Sequence, residues 1–303
     1  MSQYTLNKRA DSELGSAYSY FLLLKPRVMS LAIFTALVGQ ILALQQNFNN
    51  PMLTFISLFS IALGAGGAGC INMWYERDID ALMQRTKNRP IPRGLVKPSE
   101  ALSLGIILSI LSTMLLILSS NLYAGLLLAS SILFYIFIYT IWLKRRTYQN
   151  IVIGGAAGAL PPVIGWTIAT NSLTFEPITF FLIIFFWTPS HFWALSLYKS
   201  DDYKKAKIPM LPLTNGVEST KLNIFVYSLT MLPVIILPYA IGFVGITFLI
   251  PSLILTIYYN YLCFDLYKFK KNKFDAKKAK SIFGYSILYL FLIFVLFLID
   301  KIL

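Results

Sequence analysis

One polar run follows an apolar stretch without a break: Asn72-Met73-Trp74-Tyr75-Glu76-Arg77-Asp78-Ile79-Asp80, with Arg85, Lys87, Arg89 and Arg93 just beyond. Asn72, Glu76 and Asp80 stand at i, i+4 and i+8. On a helix that spacing stacks three oxygen-bearing side chains on one face. Oxygen donors suit Mg2+, which is usually shared with substrate phosphates. Lys and Arg hold phosphate oxygens through charge-assisted hydrogen bonds. Acids followed by bases at the mouth of a hydrophobic segment point to Mg2+-diphosphate chemistry on an apolar substrate. The plainer alternative is a solvated helix end, its acids paired with Arg77 and Arg85. Asp78 lies roughly 160° from the line of the other three, and pairing with Arg77 or a neighbouring loop is expected of it.

Three further constellations carry chemistry. Asp201-Asp202-Tyr203-Lys204-Lys205 precedes Ile208-Pro209-Met210-Leu211-Pro212; its acids suit a second Mg2+ and Lys204 or Lys205 a phosphate, although an ordinary charged loop reads the same way. Lys144-Arg145-Arg146 is a basic anchor of the kind found at cytoplasmic span ends, with Arg146 and Asn150 at i and i+4 as candidates to face an anionic pocket. His191, the only histidine, sits in Trp187-Thr188-Pro189-Ser190-His191-Phe192-Trp193. Ionisable groups inside membrane helices are functional candidates, and imidazole is a common haem ligand. A histidine merely bonded to a neighbouring helix remains the alternative.

The elements that must position these residues are membrane helices. Of 303 residues, 57% are hydrophobic and only 13% charged, which excludes an ordinary soluble domain. Apolar runs long enough to cross a bilayer are read at 28–46, 52–72, 100–118, 122–142, 151–170, 177–198, 222–241, 243–264 and 281–299. With nine spans, 25 of the 26 Lys and Arg fall on one face and only Lys301 on the other. The positive-inside rule then places the N-terminus in the cytoplasm. The net charge of +13 reflects this orientation and contact with the anionic lipid bilayer, and nucleic-acid binding is not expected. The first 25 residues lack a signal peptide's apolar region, so a bacterial inner (plasma) membrane is expected. Cys70 and Cys263 show no metal spacing and call for no disulfide.

The chain reads as a single integral-membrane domain, 1–303, with a cytoplasmic arm at 1–25 and cytoplasmic active-site loops at 73–99 and 199–221. Both loops follow even-numbered spans, which hints at two related four-helix halves. Gly64-Ala65-Gly66-Gly67-Ala68-Gly69 contains a G-x-G-x-x-G string, but inside an apolar helix rather than after a strand. It and Gly154-Gly155-Ala156-Ala157-Gly158 are read as close helix packing. Pro161-Pro162 should break the fifth span.

Several motifs occur together in order: Lys25-Pro26-Arg27; Asn72 to Tyr75 with Asp78-Ile79-Asp80; Arg85-Thr86 with Asn88-Arg89-Pro90-Ile91-Pro92-Arg93-Gly94; Tyr139-Thr140; Leu143-Lys144-Arg145; Pro161-Pro162 with Gly165-Trp166; His191-Phe192-Trp193-Ala194-Leu195; and Asp202-Tyr203 with Pro209-Met210-Leu211-Pro212. In these the chain resembles the protohaem IX farnesyltransferases, or haem O synthases, of the UbiA-type membrane prenyltransferases. The resemblance implies an all-α, polytopic UbiA-type fold with nine transmembrane helices around a central cavity. It implies transfer of the farnesyl group of farnesyl diphosphate to a vinyl group of haem B, with addition of water, giving haem O and diphosphate. Asn72, Glu76 and Asp80 would then hold Mg2+, and Asp202 a second ion. Arg77, Arg85, Lys87, Arg89, Arg93, Arg146 and Lys204 form the pool of diphosphate-binding candidates. His191 is a candidate ligand of the haem iron. A haem A-forming enzyme or a terminal-oxidase assembly is the protein partner implied.

Met73 stands where relatives that prenylate aromatic rings carry Asp, and Ala206 where their second motif has another Asp; both features resemble the haem branch. Glu76 stands where Asp is more usual, so its metal distance must adjust. A quinone or chlorophyll-precursor prenyltransferase, a transporter and a haem chaperone are the rival readings. A transporter would place its acids near the bilayer midplane, whereas these cluster at one face.

Overall fold

The computed structural model describes residues 15–43, 50–271 and 273–303, with Arg27 described by its backbone alone. Lys8 and Arg9 of the expected N-terminal arm, and 44–46 of the first expected span, lie outside the described residues. Every regular element among the described residues is helical. Among the described residues nine long helices follow one another: α1 Pro26–Ala43, α2 Pro51–Tyr75, α3 Pro98–Ser119, α4 Leu122–Leu143, α5 Asn150–Thr170, α6 Glu176–Tyr198, α7 Gly216–Ala240, α8 Ile246–Tyr267 and α9 Ala276–Ile302. By length and composition α2 to α9 can each cross a membrane. The ninth candidate span is a bent one, in which the short helix Ala17–Leu23 meets Val28–Ala43 at 63°.

Local chemistry explains the breaks. Pro26 bars right-handed helical backbone at the residue before it, and Lys25 takes left-handed backbone instead, φ 54°. Pro161-Pro162 interrupts α5 at Leu160, between Asn150–Ala159 and Pro161–Thr170, as expected. The second half of α4, Phe134–Leu143, is a π-helix, a widened form often found at functional sites. The two expected loops carry more helix than 73–99 and 199–221 allow. α2 runs on to Tyr75, and Arg77–Leu82, Ser200–Lys205 and Leu211–Thr214 are short helices. α7 begins at Gly216 rather than near 222. Polar residues outside the hydrocarbon do not end a helix, and here Glu218 favours the first turn while its carboxylate meets Lys221 at 2.7 Å.

The helix ends sort into two faces. On one, the Gln84 amide reaches Asp202, Lys144 reaches Glu76, Lys221 donates to the Phe269 carbonyl, and Gly15 donates to the Leu95 carbonyl. On the other, Asn121 donates to the Thr167 carbonyl, and Asp300 accepts from the Gly245 and Phe248 amides at the start of α8. Large apolar residues such as Phe55, Ile107, Leu118, Ile254 and Leu288 point outward, as lipid-facing surface requires.

Small residues set the closest helix contacts. A Cβ on Gly67 would lie 2.9 Å from the Gly105 carbonyl oxygen, and one on Gly105 2.9 Å from that of Gly67. The Gly64–Gly69 run is therefore a packing surface on two sides, with Gly64 and Gly67 against α3 and Gly66 and Gly69 against Leu23 and Leu24. The α1–α5 crossing is tighter still, since a Cβ on Gly39 would run into the Pro162 carbonyl and one on Gly165 into that of Ala36. Backbone has nowhere to yield there. Gly165→Leu is predicted to lower stability by about 2 kcal/mol or more through overpacking, read as a lower thermal midpoint in detergent. Gly158→Ala, whose Cβ meets nothing within 4 Å, should leave the midpoint unchanged.

Candidate active site

The acid line survives the end of α2. Glu76 caps that helix, and the bonds from the Glu76 amide to Asn72 and from the Asp80 amide to Glu76 carry the i, i+4 register into Arg77–Leu82. Asn72, Glu76 and Asp80 are each only 2% exposed. Buried charge needs a partner, and each of these polar side chains meets a cation from elsewhere in the fold. Asn72 Oδ1 accepts from Lys25 Nζ, and its Nδ2 donates to Thr140 Oγ1 at 3.0 Å. Lys144 Nζ donates to Glu76 Oε2 at 2.6 Å. Arg89 donates to Asp80 Oδ2 at 2.6 Å, and the Asp80 carbonyl accepts from Thr86 Oγ1 at 2.9 Å. The site is thus a ladder. Thr140 and Lys144, four apart on and just after the π-segment of α4, stand against Asn72 and Glu76, four apart on and just after α2.

Asp202 is buried on the short helix after α6, and its Oδ1 accepts from the Gln84 amide at 3.3 Å. That bond ties the second acidic patch to the turn that follows the first. Asp78 faces away from the line, as its angular position requires. It forms a two-pronged pair with Arg145, at 2.7 and 2.8 Å, rather than with Arg77. Arg77 instead donates to the Trp74 carbonyl and lies over the Trp74 ring. The alternative of acids paired with Arg77 and Arg85 therefore does not hold.

Of the diphosphate candidates only Arg89 reaches a carboxylate of the line. Arg77, Arg85, Lys87, Arg93, Arg146 and Lys204 are exposed. Arg146 and Asn150 do not share one environment, for Asn150 is fully buried with its amide on the Thr147 carbonyl. The residues missed in the sequence are Lys25 and Lys144 as direct partners of the line. A signal existed for Lys144, whose spacing from Thr140 repeats that of Glu76 from Asn72. His191 lies inside α6, buried, with Nδ1 2.6 Å from Ser286 Oγ. Two clefts lie away from the acid line, one of about 240 Å3 beside Asp265 and Lys278 and one of about 210 Å3 lined by Gln40, Asn50 and Ser57.

Electrostatics follow from this pairing. Burial alone would raise the Glu76 carboxyl, but Lys144, with Lys25 and Arg89 adding to it, holds it below the usual carboxylate range. Burial would lower the Lys144 ammonium, and Glu76 outweighs it, so that pKa is raised. Among the described residues no three Asp, Glu, His or Cys side chains converge to hold an ion alone. The donor set nevertheless suits Mg2+, since Asn72, Glu76, Asp80 and Asp202 offer hard oxygens. Mg2+ usually takes one or two carboxylates and completes its shell with water and substrate phosphate.

Removing one partner of a buried pair leaves an uncompensated charge and costs about 3–5 kcal/mol. Lys144→Met is therefore predicted to destabilise the protein on that scale at pH 7. The sign with pH is fixed. A carboxyl lowered in the folded state contributes stability that is complete above its unfolded pKa, about 4.3, and is lost as pH falls through the lowered value. Without Lys144 that lowering is largely removed, so the acid limb of thermal midpoint against pH should shift to higher pH. An unmoved limb would contradict the pairing.

Three comparisons bear on this geometry. The UbiA prenyltransferase family profile matches residues 32–297. A protein of Pelagibacter ubique named protoheme IX farnesyltransferase is 69% identical over 283 residues, 93% of each chain. One of the same name from Parvibaculum lavamentivorans is 51% identical over 293 residues, 97% of this chain and 92% of its own. Among solved structures, a UbiA homologue of Archaeoglobus fulgidus bound to DMAPP and Mg2+ is similar with a TM-score of 0.71 at 17% identity, over 92% of this chain and 99% of its own. A structure of digeranylgeranylglyceryl phosphate synthase is similar with a TM-score of 0.77 at 18% identity, over 93% and 97%. With the helical bundle, the family profile and the near full-length relatives in agreement, this chain belongs to the UbiA prenyltransferase family.

Proposed function

We propose that this protein transfers the farnesyl group of farnesyl diphosphate to a vinyl group of haem B and adds water, giving haem O and diphosphate. The observation that carries the reading is the buried line of Asn72, Glu76 and Asp80, each already facing a cation. The likeness to the two farnesyltransferases supplies the acceptor and the donor.

Asn72, Glu76, Asp80 and Asp202 are the residues that would hold Mg2+. Bound there, Mg2+ supplies positive charge to the departing diphosphate. Arg89 and Lys144 stand within reach of the acid oxygens and can turn to phosphate oxygens when diphosphate arrives, so the positive charge is preassembled. The exposed Arg77, Arg85, Lys87, Arg93, Arg146 and Lys204 attract the trianionic headgroup from solution and are the wider pool for holding it. The C1–O bond of the farnesyl chain breaks with its electron pair leaving on the diphosphate. The vinyl π-pair forms a bond to C1, and a water oxygen then bonds the remaining cationic carbon and releases one proton. Trp74, in the last turn of α2 beside the acid line, is the aromatic face available to stabilise the allylic cation, whereas Trp166, Trp187 and Trp193 are packed against Phe243, His191 and Tyr227; the apolar bundle keeps bulk water from quenching the cation early.

The basic loop face is the cytoplasmic one in this reading, with the N-terminus on that side and the protein in the bacterial inner membrane. Its product chemistry calls for a partner that takes up farnesylated haem, a haem A-forming enzyme or a terminal-oxidase assembly.

The test incubates membranes holding the protein with haem B, farnesyl diphosphate and Mg2+ and identifies the extracted haems by chromatography and mass spectrometry. Haem O is expected, and it should disappear on chelation. Asp80→Asn should lower its rate at least about 100-fold, the scale of losing an electrostatic contact to the transition state, while the protein stays folded. Unmodified haem from active, folded protein would overturn the assignment and direct the search to aromatic acceptors.

A further inference from the structure

His191 lies outside the acid line, and the chemistry proposed above leaves it unused. Its surroundings favour one tautomer. Ser286 Oγ donates its one hydrogen to the Phe283 carbonyl at 2.7 Å. The same oxygen lies 2.6 Å from His191 Nδ1; with its hydrogen on the carbonyl it accepts there, and in that arrangement Nδ1 carries the proton. The neutral ring then has a lone pair on Nε2. Ser286 is itself anchored, buried on α9 with its carbonyl accepting from Trp187 Nε1 at 2.8 Å.

The ring's faces are also accounted for. Trp187 stacks on it at 4.2 Å and 19°, and Phe283 at 4.6 Å and 24°. Two near-parallel rings that close to one imidazole must lie on opposite faces. Phe192 meets it edge-on at 5.2 Å. Among the described residues nothing hydrogen-bonds Nε2. The imidazole is clamped on both faces and at Nδ1, and the Nε2 edge is its one unbonded nitrogen.

We infer that His191 Nε2 is an axial ligand for the iron of the haem acceptor, with Ser286 as the positioning residue that fixes the tautomer; this rests on the haem-farnesylation reading. A ligating histidine with its other nitrogen hydrogen-bonded is the standard arrangement of metal sites. A role as proton acceptor fits less well. The imidazolium would be buried among Trp187, Phe283 and Phe192 with a neutral hydroxyl as its contact, and an unpaired buried charge is costly. Ligation uses the neutral ring that the structure already holds. It would fix the porphyrin through α6 and α9, apart from the diphosphate held at the ends of α2 and α4.

The test is a spectroscopic titration of the membrane-embedded protein with haem B and, separately, with iron-free protoporphyrin IX. Wild type should show the absorption and electron-paramagnetic signature of imidazole-ligated haem. His191→Ala should lose that signature and bind haem at least tenfold more weakly, with added imidazole restoring the signature. Ser286→Ala should weaken haem binding severalfold, and iron-free porphyrin should bind wild type and His191→Ala alike. An unchanged haem spectrum in His191→Ala overturns the ligand role, as does an equal loss of iron-free porphyrin, which would mark a packing role. Wild type that ligates haem yet forms no haem O keeps the ligand and overturns the transfer reading instead.

Discussion

Two carboxylates buried at the edge of an apolar bundle need cations from elsewhere in the chain, and much of the structure answers that need. Glu76 and Asp80 are 2% exposed, and an unpaired charge in such a place is prohibitive. Lys144 meets the first and Arg89 the second, while Lys25 donates to Asn72 beside them. Their positions depend in turn on unusual backbone. The Lys25–Pro26 break turns the chain so that Lys25 faces α2, and the π-segment of α4 sets Thr140 and Lys144 against Asn72 and Glu76. Buried ion pairs contribute little net stability. Under the function proposed here, keeping them is explained by what they would hold ready, oxygen ligands for a metal and cations for a diphosphate in one place.

The rest of the bundle keeps this arrangement rigid. Glycines let α1 meet α5 and α2 meet α3 at backbone distance, a packing mode suited to lipid, where no hydrophobic force drives helices together. Asp300 and Asn121 satisfy helix ends on the opposite face. The acid line therefore sits on a frame whose two faces differ in chemistry. One is crowded with paired acids and bases, the other closed by a few caps.

Much of this was legible in the sequence. Apolar run length gave the spans, the Lys and Arg bias gave the two faces, and Pro161-Pro162 marked the break in α5. The i, i+4, i+8 spacing identified Asn72, Glu76 and Asp80 and set Asp78 apart. The contacts of Lys25 with Asn72 and of Lys144 with Glu76 were not legible, because they join residues 47 and 68 positions apart through long side chains whose direction depends on packing. Basic clusters such as Lys144-Arg145-Arg146 look uniform in a sequence. In the fold the first member turns inward to Glu76, the second caps Asp78, and the third stays in solvent. The extra helix within the two polar loops was hidden for a related reason, since apolar periodicity marks spans and says little about helix outside the hydrocarbon.

Under the proposed function, internal cations hold the acid line until diphosphate draws those cations away and metal joins the acids. Calorimetric titration of Mg2+ into the membrane-embedded protein, with and without a non-reactive farnesyl diphosphate analogue, tests it most directly. Mg2+ is expected to bind weakly alone and at least tenfold more tightly with the analogue present. Equally tight Mg2+ binding in both titrations would contradict it, for the carboxylates would then form a metal site without diphosphate to draw Lys144 and Arg89 away.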